Sequence, residues 1–237
     1  MGVFDRVKKF FTREAGPDKV LHLVSDSAKL HLFAAGAGLD EGAELEHGWC
    51  HVKNLLAYDP ADGEWRALLD EYIRRMGPAE AAAQISDHYF SNEAIRAYLW
   101  AKEGRLDDAI NHLVQVEQAK PSCGYLAAWL PEWVNQLNGA PVEGGTLVQA
   151  LQILWNIWPE SREATREELA QRAVVANAVA QMADATSVDG DLARLLPMFV
   201  CGMFRRAGMF DEGLRRARQW QNTTPCWEAD VAVGLLL

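Results

Sequence analysis

Ala97-Tyr-Leu-Trp-Ala-Lys-Glu-Gly-Arg-Leu-Asp-Asp-Ala-Ile110 lies without a gap on Cys201-Gly-Met-Phe-Arg-Arg-Ala-Gly-Met-Phe-Asp-Glu-Gly-Leu214. Trp100 falls on Phe204, Gly104 on Gly208, Leu106 on Phe210 and Asp107 on Asp211. The register holds until Pro121 falls on Pro225, so glycine and proline are 17 residues apart in both copies. Each feature has a mechanical reason. A glycine after a helix can adopt the left-handed conformation that ends it. An acidic pair three and four residues later suits the positive end of the next helix. Small Ala109 and Gly213 let the second helix approach the first, Trp100 and Phe204 fill the space between them, and the proline ends the unit.

Outward from these copies the chain is punctuated by glycine and proline into pieces of helical length. Leu45, Trp49, Val52 and Leu55 or Leu56 recur at threes and fours until Asp59-Pro60, and Trp65, Leu68, Leu69, Tyr72 and Ile73 repeat the rhythm until Gly77-Pro78. No stretch alternates with the period of a strand. The pattern predicts an all-α chain with helices near 3–13, 18–34, 40–57, 63–76, 79–87, 91–103, 106–119, 123–138, 145–157, 162–184, 189–207, 210–222 and 227–237. Asn138–Gly145 reads as an internal loop, and no composition shift marks a domain boundary, so one domain over 1–237 is expected.

Composition narrows the function classes. A net charge of −10 repels phosphate backbones and argues against nucleic acid. Cys50, Cys123, Cys201 and Cys226 have neither zinc-ribbon nor redox-motif spacing and read as free thiols in a reducing cytoplasm. The first residues lack a secretory signal, and no window has the ~20 apolar residues of a membrane span. The nine tryptophans fall inside helical patterns and read as packing residues.

The two copies resemble the tetratricopeptide-repeat family on Ala97, Trp100, Gly104, Leu106, Ala109, Leu113 and Pro121, and on Cys201, Phe204, Gly208, Phe210, Gly213 and Pro225. The resemblance covers 91–121 and 195–225. It departs from the family pattern at Glu93, Pro197, Gly213 and Ala217, so the repeats are degenerate. It implies a solenoid-like stack of antiparallel hairpins and a non-enzymatic scaffold that binds a protein segment or protomer on a concave face lined by each first helix. Tyr98 and Lys102 would line that face in one copy, and Met198, Arg205 and Arg206 in the other. Tyr98 and Gly202 occupy the places where the family's carboxylate clamp needs asparagine. Arg205 and Arg206 would meet an acidic partner, or simply offset the negative end of their own helix.

Two other readings compete: a metal-binding or enzymatic helical protein centred on His47 and His51, and a membrane-surface adaptor that uses the N-terminal helix. His47 and His51, four apart with Cys50 and Glu44 nearby, share a helix face as metal ligands must, but Gly48 stands where a zinc-protease motif needs glutamate, and no third ligand is evident. No cofactor fingerprint or nucleophile motif is present. Residues 3–13 set Phe4, Val7, Phe10 and Phe11 against Arg6, Lys8, Lys9 and Arg13, which suits an anionic membrane or a dock on the protein's own second helix. The chain stops at Gly234-Leu-Leu-Leu237 without a polar cap, which points to a longer parent protein or to pairing with another chain there.

Overall fold

The computed structural model describes residues 26–40, 45–85, 90–120, 124–136 and 142–237. All regular structure among them is helical: α1 Asp26–Ala37, α2 Leu45–Tyr58, α3 Gly63–Met76, α4 Pro78–Ala83, α5 Phe90–Lys102, α6 Leu106–Ala119, α7 Tyr125–Trp133, α8 Gly144–Ile157, α9 Arg166–Ala185, α10 Leu192–Arg206, α11 Phe210–Thr223 and α12 Trp227–Leu236. Short 3-10 turns at Val134–Gln136 and Ser161–Glu163 break what the sequence predicts as longer helices. None of the described helices is long and apolar enough to cross a membrane. The expected helix at 3–13, Cys123, Pro121 and the first half of the predicted loop lie outside the described residues. The chain divides into two compact units, 1–99 and 100–237.

In the first unit, α1 packs on α2, α2 on α3 and α3 on α4. The core is built around Trp49, Leu55, Leu56, Leu69 and Tyr72, all buried. The Tyr72 hydroxyl donates to the Ala35 carbonyl at 2.6 Å. Two glycines make room for it: a Cβ on either Gly38 or Gly48 would overlap that hydroxyl. Gly48 is therefore a packing requirement of α2. The α3 start is capped by Asp62, whose carboxylate accepts from the N–H groups of Glu64 and Trp65 at 2.8 and 3.0 Å.

In the second unit, α6, α8, α10 and α12 form one row in which each helix packs on the next, while α7 packs on α9. Sequential neighbours α6–α7, α9–α10, α10–α11 and α11–α12 also pack. Eight of the nine tryptophans are buried or half-buried, and Trp227 is the exception at 68% exposure.

The two copies have the same backbone. Gly104 and Gly208 have φ of 81° and 73°. Gly104 N–H donates to Ala101 O at 3.0 Å and Arg105 N–H to Trp100 O at 2.9 Å. The equivalent Gly208–Arg205 and Met209–Phe204 bonds are 3.1 and 2.9 Å. This pair of bonds around a left-handed residue satisfies carbonyls that the helix end would otherwise leave unpaired. Arg105 and Met209 follow with φ/ψ of −88/59° and −93/60°. The second helices, α6 and α11, each have 14 residues and terminate at Lys120 and Thr224 with φ/ψ of −136/82° and −141/80°. The fillers also work as expected: the Trp100 ring meets His112 edge-on at 5.0 Å, and Phe204 is fully buried.

Candidate partner-binding groove

Gly202 decides the local shape. A Cβ on it would overlap the Cζ3 edge of the Trp155 six-membered ring, so only glycine lets α8 bring that ring edge against α10. Trp155 then stacks edge-to-face with Phe199 at 5.8 Å and lies under the Arg206 guanidinium at 4.6 Å. Trp155 and Phe199, with Met198, Cys201, Val231 and Leu235, line a groove of about 340 Å³ between α8, α10 and α12. Its wall is almost wholly apolar apart from Arg205 at the rim. The α12 side continues outward as an exposed stripe: Trp227, Val231 and Leu235, at 68%, 47% and 55% exposure, follow each other at one helical turn.

The rim is rigid. Arg205 grips Glu160 with two bonds of 2.8 and 3.1 Å, and Arg206 donates to the Trp158 carbonyl. Buried Arg172 donates to the carbonyls of Pro159 and Arg206 at 2.8 and 3.0 Å. The three guanidiniums thus hold the bend 158–160 against the carbonyl ends of α8 and α10, where positive charge offsets the helix dipole. Burial pushes the Arg206 pKa down and Glu160 works against that shift.

Of the residues expected to bind a partner, Met198 and Arg205 line the groove and Arg206 supports its floor. Lys102 pairs with Glu132 at 3.6 Å instead. Tyr98 belongs to the first unit, is fully buried, and donates to Asp70 at 3.0 Å. Its burial removes it from any open face. Trp155, Val231 and Leu235 were not singled out by sequence. Their signal was present but indirect: an unusual glycine at 202, and an apolar run at the chain's end.

His47 and His51 stand together on α2 as their spacing requires, with ring centroids 4.8 Å apart. Among the described residues, no three His, Cys, Asp or Glu side chains form a ready-made metal cage. No family model matches the chain, nor does any curated protein or solved structure, so the likeness to tetratricopeptide repeats has no support beyond the residues that carry it.

Proposed function

We propose that the chain is a non-catalytic protein-interaction module, and that residues 100–237 bind one apolar face of a partner protein's helix in the groove between α8, α10 and α12. The observation that supports this reading is the continuous apolar path from Trp155, Met198 and Phe199 out to Val231, Leu235 and Trp227. A helix laid along it would bury side chains at i, i+4 and i+7 spacing, the usual mode of helix-in-groove recognition. Exposed apolar surface of this kind is costly to leave in water and marks interaction sites on soluble proteins. Glu160 already satisfies the Arg205 charge, so recognition rests on apolar contact, with the guanidinium fixing the rim. The free thiols of Cys50, Cys201 and Cys226 are in keeping with work in a reducing cytoplasm.

Val231 and Leu235 are exposed, so Val231→Glu with Leu235→Glu should leave the thermal melt within a few degrees of wild type. A partner recovered with the wild-type chain from its native host should lose at least tenfold affinity for the double variant in a purified binding assay. A partner that binds both equally places the interaction elsewhere.

A further inference from the structure

The groove is walled by only one half of α12. Val231, Ala232, Leu235 and Leu236 line it, whereas Trp227, one turn earlier on the same helix, is exposed and outside the lining. Trp227, Asp230, Val231, Gly234 and Leu235 are all exposed and make one face, at helical steps of three and four. Gly234 has no internal reason to be there. Gly48, Gly202 and Gly213 sit inside helices where a Cβ would overlap a packed neighbour, but a Cβ on Gly234 would meet nothing within 4 Å. Glycine is a poor helix former, and a bare backbone on an exposed apolar face suits the close approach of another surface.

We propose that the occupant of the groove is a second copy of this chain: the two α12 helices pack antiparallel across a two-fold axis near Val231, and the Trp227 indole of each copy enters the groove of the other. This rests on the reading of the groove as a helix-binding site, and it names the helix. Register, shape and charge favour the copy. In a two-fold contact both sides use the same patch, so residue i meets j wherever j meets i. With Val231 at the axis, Trp227 of each copy comes level with Gly234 and Leu235 of the other, about 6 Å along the helix from the axis. That is the half of α12 that walls the groove, and the open space over Gly234 leaves room for the ring. The largest exposed side chain of α12 thus lies off the groove within one chain and on it within the pair. The face itself has the apolar i, i+4, i+8 spacing that such a groove takes, in Trp227, Val231 and Leu235. Its charges are also of the right sign. The first turn of α12 contains Glu228 and Asp230 and the helix has no basic residue, while Arg205 is the charged side chain in the groove lining. Antiparallel packing sets that acidic first turn beside the other copy's basic rim.

The test is sedimentation velocity of the purified full chain from about 1 to 100 μM, the range that brackets a micromolar dissociation constant. The chain should show a reversible monomer–dimer equilibrium. Trp227→Ser should weaken it at least tenfold. Gly234→Leu should do the same although it adds apolar surface, because its side chain fills the space the indole enters. Both positions are exposed, so the melts of both variants at the lowest concentration should match the wild-type monomer. Non-specific sticking of the apolar stripe would be strengthened by Gly234→Leu, and that result overturns the proposal. So does a wild-type chain that stays monomeric throughout, or a dimer that Trp227→Ser leaves intact. A monomer rejects the second copy alone; the groove reading fails only where Val231→Glu with Leu235→Glu leaves a different partner protein bound.

Discussion

The turn at Gly104 and the turn at Gly208 have the same backbone and different neighbours. Their glycine φ values, 81° and 73°, and their terminal dihedrals lie close together and the second helices are equally long, yet the equivalent positions Tyr98 and Gly202 have opposite designs. Tyr98 fills its own space and is fully buried. Gly202 vacates that space, and Trp155 of α8 enters it. The second helices differ in the same way. Leu106, Ile110 and Val114 are buried on α6, whereas their equivalents on α11 are Phe210 at 45% exposure, half-buried Leu214 and exposed Arg218. A hairpin's turn is thus set by local chemistry, while the content of its faces is set by what packs on it.

The sharpest way to break the comparison is to empty the filled position. Tyr98→Ala should destabilise by about 3–5 kcal/mol, the usual cost of deleting a buried aromatic side chain, read from urea denaturation. Filling the vacated position comes next. Gly202→Ala should cost about 1–3 kcal/mol through overpacking against Trp155, even though alanine is normally ~1 kcal/mol better than glycine in a helix. A stabilised variant would show that Trp155 moves away freely. The turns should respond alike: Gly104→Ala and Gly208→Ala should each lose about 1–2 kcal/mol, because a Cβ is strained in the left-handed region. A large inequality between them would mean that the shared geometry hides different strain.

The smallest effect concerns Glu117 and its equivalent, Gln221. Burial raises the Glu117 pKa above the ordinary 4.5, against the lowering effect of the Leu126 and Tyr125 N–H groups. The folded state therefore holds this proton longer than the unfolded chain does, and stability falls as pH rises above about 4.5. Glu117→Gln keeps an oxygen for the Leu126 N–H and should abolish that part of the slope in melts from pH 4 to 8. An unchanged slope would assign it to other groups.

Most of the fold was legible because helix ends are written locally. Gly77-Pro78, Gly104, Gly208 and the Asp62 and Thr165 caps all mark boundaries within a few residues of where they fall. Capped by Thr165, however, α9 starts at Arg166, four residues later than the predicted helix, because Ser161–Glu163 closes into a separate 3-10 turn. The groove was only half legible. Met198 and Arg205 share a helix with the repeat signal, whereas the reason for Gly202 lies 47 residues upstream in Trp155. The Tyr98 expectation failed for the same physical reason: helical periodicity tells which residues share a face, but not whether another element covers it.

Two helix starts in the second unit are completed by a side chain from another helix. Neither Gly124 before α7 nor Glu143 before α8 supplies its own side-chain cap. Glu117 of α6 accepts from the Leu126 N–H at 2.7 Å, and Asp107 of α6 accepts from the Glu143 N–H at 2.8 Å. The hairpins are consequently poor interchangeable parts. Severing the chain after residue 120 would leave α7 and α8 each with an orphaned amide at the start and no local acceptor, so both should fray as a fragment. Melting of α6 should then spread into α7 and α8, making these three helices one cooperative block in hydrogen exchange.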